Sequence, residues 1–85
     1  MKKFTYTIKD ASGIHARPAG QLVKLAKGFE STVTITKGDK SVNACQLMKL
    51  MSMGIKCGDT INFSVEGSDE EAAAIAVEEF MTANL

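Results

Sequence analysis

A chain of 85 residues is long enough for one domain with a modest core, since a fold of this size buries about 60–65% of its unfolded surface. Hydrophobic residues make up 45% and charged residues 24%, a balance that excludes an intrinsically disordered chain. Ten Lys and Arg offset ten Asp and Glu, so there is no general attraction for nucleic acid or an anionic membrane, and no apolar run is long enough to span a bilayer.

Phe4, Tyr6 and Ile8 alternate with Thr5, Thr7 and Lys9, the pattern of a half-buried strand. The basic start, Met1-Lys2-Lys3, runs straight into it and is read as strand rather than signal peptide. Lys9 to Gly13 forms a loop, with Ser12-Gly13 favouring a turn. Ala19, Leu22, Val23 and Ala26 then follow the i, i+3, i+4, i+7 spacing of one helical face, which predicts a helix over about 16–27. Pro18 is tolerated in its first turn. Gly28 is expected to stop it in the left-handed conformation, and Lys24 and Lys27 suit its negative end.

Val33 and Ile35 mark a second strand over Thr32 to Thr36. Lys37-Gly38-Asp39-Lys40 reads as a tight hairpin turn, with a short return strand to Asn43. A brief helix is expected from about Cys45 to Met53, capped by Asn43 or Ala44, with Asn43 the better cap, and ended by Gly54. After a turn at Gly58-Asp59, Ile61, Phe63 and Val65 alternate with Asn62, Ser64 and Glu66 as the clearest strand. Ser68-Asp69-Glu70-Glu71 reads as a capping box, opening a helix with Ala73, Ala76, Val77 and Phe80 on one face. The order β-α-β-β-α-β-α, with one apolar face per strand, predicts a two-layer α/β (α+β) open-faced sandwich. A four-stranded antiparallel sheet is covered on one side by three helices, and the last strand enters between the first two.

Cys45 and Cys57 lie twelve positions apart with no second pair, which is neither a zinc nor a redox spacing. Both are expected to be free, small buried residues in a reducing cytoplasm. There is no Walker loop and no carboxylate pair with metal-ligand spacing, so neither cofactor nor metal is expected.

Gly13-Ile14-His15-Ala16-Arg17-Pro18-Ala19 holds the only histidine and the only proline of the chain. The pattern sets His15 at a helix start and Arg17 just inside it, with the free N–H groups of Ala16 and Arg17 at the positive end of the dipole. Such an end binds phosphate, and an imidazole beside it is a nucleophile. A lone histidine at a helix start is also often a plain surface or capping residue; the flanking turn and proline weigh against that reading. The brief helix is too crowded with apolar residues for one buried face. Leu50 is expected inward, with Leu47, Met48 and Met51 partly exposed beside Lys49 and Ser52.

The stretch Gly13 to Ala19 resembles the active-site signature of the histidine-containing phosphocarrier (HPr) family of the bacterial phosphoenolpyruvate-dependent sugar phosphotransferase system. Leu50-Met51-Ser52-Met53-Gly54-Ile55 and Gly58-Asp59-Thr60-Ile61 resemble it too, and the similarity spans residues 1–85 as one domain. The resemblance implies a cytoplasmic, monomeric carrier that takes a phosphoryl group from phosphorylated Enzyme I on His15, through Nδ1, and passes it to IIA components. Arg17 is then the assisting charge. Partners would be met by Leu47, Met48, Lys49, Met51 and Ser52, with Lys24 and Lys27 as a basic rim. Many Gram-positive members carry a regulatory serine where this chain has Gln46, so that switch is expected to be absent; Ser41 and Ser52 do not match its motif. Two alternatives stay open: a regulatory binding module acting through the helix around 46–53, and service in a nitrogen-related phosphorelay. A nucleic-acid binder is disfavoured by the neutral charge and by four Phe and one Tyr, mostly spent on the core.

Overall fold

Alternating sequence builds four strands: β1 (Lys2–Thr7), β2 (Thr32–Lys37), β3 (Lys40–Asn43) and β4 (Thr60–Glu66). Helical periodicity builds three helices: α1 (Ala16–Lys27), α2 (Leu47–Ser52) and α3 (Glu70–Asn84). This is the arrangement in a computed structural model, which describes residues 1–85. The sheet runs β1-β4-β2-β3, antiparallel throughout. As expected, β4 enters between the first two strands, and α1 makes the crossover that leaves room for it.

Residues opposite one another on an antiparallel ladder share a face. Phe63 pairs with Phe4 on one side and Ile35 on the other, so three strands contribute to one apolar row. The Phe4 and Phe63 rings stack with centroids 4.6 Å apart and planes 7° from parallel. The next row, Thr5, Asn62, Thr36 and Ser41, points to the open face and is wholly polar. The helices cover the apolar face. Helix α1 packs against α2 and α3, α3 lies over β1 and β4, and α2 adjoins β3. The core between the layers includes Ile8, Leu22, Val33, Ile35, Leu50, Ile61, Phe63, Val65, Val77 and Met81, all buried. Each such side chain contributes roughly 1.5–3 kcal/mol on burial.

Departures from expectation gather near the ends of elements. Strand β1 starts at Lys2 and ends at Thr7, so Ile8 is buried just beyond it rather than inside it. Gly28 ends α1 with φ −75°, in the right-handed region, so the stop does not use its freedom for positive φ. Helix α2 covers only Leu47–Ser52, with Gln46 at its N-cap. Asn43 does not cap it: its Oδ1 accepts the Cys45 N–H at 2.8 Å and closes a turn two residues earlier. The hairpin has φ 62° at Gly38 alone, as a turn with positive φ only at its first central residue requires. Cys57 is exposed rather than buried, while Cys45 is half-buried; both are free thiols. On α3 the inward residues are Ala73, Val77 and Met81, with Ala76 and Phe80 half-buried beside them.

The expected capping box also gives way to a tertiary stitch. Asp69, not Ser68, is the N-cap of α3, and its carboxylate bonds no N–H of its own helix. It accepts the Glu30 and Ser31 N–H groups at 2.9 Å each, and the Ser31 hydroxyl as well. Ser68 Oγ donates to Glu30 Oε2 at 2.7 Å, and Glu71 pairs with Lys2 at 3.2 Å. The start of α3 is thereby tied to the residues that lead into β2.

The Ser31 hydroxyl, then the Glu30 N–H, holds the Asp69 carboxyl below the ordinary carboxylate range. A carboxyl depressed in the folded state contributes stability above its unfolded pKa and loses it as pH falls through the folded value. Urea midpoints should therefore drop as pH falls below the ordinary carboxylate range of about 4, and Asp69→Asn should flatten that acid limb while being less stable than the parent at pH 7. An identical acid limb in the variant would remove Asp69 from this role.

Candidate functional site

Helix α1 begins where the chain stops being extended. His15 is its N-cap, with φ −104° and ψ −178°, and its carbonyl accepts the Ala19 N–H at 2.9 Å. The imidazole bonds none of the helix N–H groups. His15, Ala16 and Arg17 are all exposed, whereas Pro18 and Ala19 are buried. The apolar face thus seats the helix and leaves its first residues in solvent. Pro18, the third helical residue, has no N–H to offer. The Ala16 and Arg17 N–H groups have no backbone acceptor, so they are the first-turn donors left open.

The charge at this helix end is also uncompensated. No acidic residue lies in the first turn of α1, whereas α3 begins with Glu70 and Glu71. Arg17 forms no ion pair. An anion arriving beside His15 would meet two N–H groups, the positive end of the helix dipole and a free guanidinium. His15 lines neither the hollow over the open sheet face, nor that beside Phe29 and Phe80, nor that beside Tyr6. It stands on open surface, where a macromolecular partner can reach it.

The loop before His15 is fixed from both sides. Asp10 Oδ1 accepts the Ser12 N–H at 2.8 Å, and its carbonyl accepts the Gly13 N–H at 2.9 Å. Gly13 is buried at φ 66°, and a Cβ there would run into the Ile55 carbonyl and stand 2.7 Å from Lys56 Cα. Only glycine combines that dihedral with that approach. Ile14 then gives its N–H to the Ile55 carbonyl at 3.2 Å and buries its side chain. Sequence reading marked Gly13 as a turn but missed Ile55. A backbone acceptor leaves no trace in residue type, and the only hint is an apolar residue directly after Gly54.

The other expected site residues lie on the first two helices. Lys24 and Lys27 are exposed on α1. On α2, Leu50 is buried, Leu47 is half-buried, Met51 is 40% exposed and Met48 is 79% exposed. Lys49 and Ser52 are exposed too, and Ser52 Oγ donates to the Lys49 carbonyl at 2.7 Å. The two helices that carry these residues pack against each other.

Comparison with known proteins agrees with this geometry. The model of the family described as "PTS HPr component phosphorylation site" matches residues 2–83. The phosphocarrier protein HPr of Mycoplasma capricolum is 40% identical over 81 residues, covering 95% of this chain and 91% of its own. The crystal structure of HPr from Thermoanaerobacter tengcongensis superposes with a TM-score of 0.93 at 40% identity, covering 98% of this chain and 93% of that one. A dimer structure of HPr from the same organism matches with a TM-score of 0.78, over 98% of this chain and 95% of that one.

Proposed function

The chain belongs to the HPr family of the phosphotransferase system and has its phosphocarrier role; from that premise we propose that His15 is the phosphoryl acceptor and Arg17 the charge that assists it. The observation that carries this reading is an exposed imidazole at a helix N-cap with two open N–H groups, a free guanidinium and no acid in the turn. In the transfer, a neutral His15 nitrogen, read as Nδ1, attacks phosphorus in line while the bond from phosphorus to the donor breaks. The ring keeps its proton on the other nitrogen. Phosphoryl transfer depends on positioning and on stabilising oxygen charge, which the Ala16 and Arg17 N–H groups and the guanidinium supply. A shallow site releases the group as readily as it takes it, as a relay requires.

The family implies Enzyme I as donor and IIA components as acceptors. The reading places the protein in the cytoplasm as a monomer, with residues 1–85 acting as one carrier domain. Its docking surface is Leu47, Met48, Lys49, Met51 and Ser52, rimmed by Lys24 and Lys27. The regulatory-module alternative draws no support from Gln46, whose amide carries no hydroxyl.

Incubation with phosphoenolpyruvate and Enzyme I should add one acid-labile phosphoryl group, and His15→Ala should abolish it; full labelling of that variant would sink the assignment. Arg17→Ala should slow transfer by about ten- to a hundredfold, the worth of one charge-assisted hydrogen bond. For the docking surface, Met48→Asp should raise the half-saturating concentration for Enzyme I about tenfold or more and leave the urea midpoint nearly unmoved. Leu50→Ala should instead lose about 2–5 kcal/mol of stability. Treatment with ATP and the kinase that modifies the regulatory serine of Gram-positive members should leave this chain unlabelled, whereas Gln46→Ser should become a substrate. Labelling of the parent chain would show a regulatory hydroxyl elsewhere.

A further inference from the structure

One ammonium group lies outside the proposed site yet touches the segment on which the His15 loop rests. Lys37 ends β2, at the entry to the hairpin. Its Nζ donates to the Gly54 carbonyl at 3.0 Å and pairs with Asp59 Oδ2 at 2.8 Å. Its side chain is 32% exposed and that of Asp59 31%, so neither contact is a fully solvated surface pair. Asp59 is itself locked: its Oδ2 accepts the Lys56 N–H at 2.8 Å, and its own N–H returns to the Lys56 carbonyl at 3.0 Å. A single side chain therefore grips both ends of the segment 54–59.

The middle of that segment is the wall of the active loop. Ile55 is buried, its carbonyl holds the Ile14 N–H, and the Ile55–Lys56 backbone abuts Gly13. His15 is the next residue. Ile8 also binds the far end, through Gly58 N–H and the Asp59 carbonyl at 2.8 and 2.9 Å. Nothing comparable holds the near end, where the Gly54 N–H reaches Met51 O only at 3.5 Å. Gly54 has φ 64° and follows the C-cap of α2, where carbonyls lack partners and a cation is favoured.

We propose that Lys37 is a positioning residue for phosphoryl transfer: by clasping the Gly54 carbonyl and the Asp59 carboxylate it fixes the Ile55 carbonyl, and through Ile14 the backbone that sets His15. The proposal rests on the reading of His15 as acceptor. Its consequence is that a side chain on the hairpin acts on the chemistry without touching donor or phosphate.

The test uses the full chain with Lys37→Met, which keeps the stem and removes the charge, Lys37→Arg, which keeps a cation with several donors, and Asp59→Asn, which loosens the clasp from its other side. Lys37→Met should speed exchange of the Ile14 amide at least about fivefold relative to Phe63 in β4. It should lower the single-turnover rate of phosphoryl uptake at saturating Enzyme I by at least about fivefold, without raising the half-saturating concentration. Asp59→Asn should move both in the same direction, and Lys37→Arg should restore them. Unchanged Ile14 exchange and uptake rate in Lys37→Met, or a raised half-saturating concentration with Ile14 exchange unchanged, would overturn the proposal; the second result would make Lys37 a docking contact. Labelling of His15→Ala would defeat the acceptor assignment instead, whatever the Lys37 variants do.

Discussion

A backbone hydrogen bond from Ile14 to Ile55, beside a glycine too tightly packed to carry a side chain, decides where His15 stands. Helix α1 alone would leave its first residues free to fray, because terminal N–H groups have no partners within the helix. Seating Gly13 and Ile14 against another segment removes that freedom just before His15, the proposed acceptor. The imbalance between buried Pro18 and Ala19 and exposed His15, Ala16 and Arg17 then holds one end of the helix and presents the other. Electrostatics follow from the same placement, since no acid in the first turn neutralises what the open N–H groups offer.

The two faces of the molecule divide the work. Apolar rows such as Phe4, Phe63 and Ile35 bind the helices to the sheet, while the opposite face is a polar array of strand side chains. Helix α2 is only six residues long; Leu50 is its one fully buried side chain, Leu47 packs half-buried beside it, and Met48 stands mostly outside. An isolated helix of that length would not persist in water, so its packing maintains it. Flexible methionines on a packed backbone suit a surface that has to fit more than one protein shape.

Much of this was legible in the sequence. Helix α1 begins and ends at the expected residues because apolar spacing and the turn at Ser12-Gly13 agree. The antiparallel sheet and the place of β4 followed from period-two alternation and the order of elements. What failed were assignments of polar side chains to the nearest helix end. Asn43 serves a turn, and Asp69 reaches across to Glu30 and Ser31, because those backbone donors also needed partners and lay closer in space. Met81 was missed on α3, although it stands four residues beyond the expected Val77 and shares its face. Histidine and arginine could be placed from type and spacing, but the carbonyl that seats them could not, since every residue has one.

The order β1-β4-β2-β3 also has a bearing on when the site comes into being. Ile55 is made forty residues after His15, and β4, which separates β1 from β2, later still. A growing chain therefore displays the histidine well before it can build the wall behind it. Interactions this distant in sequence close slowly. Competence as a carrier thus waits on segments made well after the signature, and a chain stopped before them would carry the whole signature around His15 and still lack the scaffold that aims it.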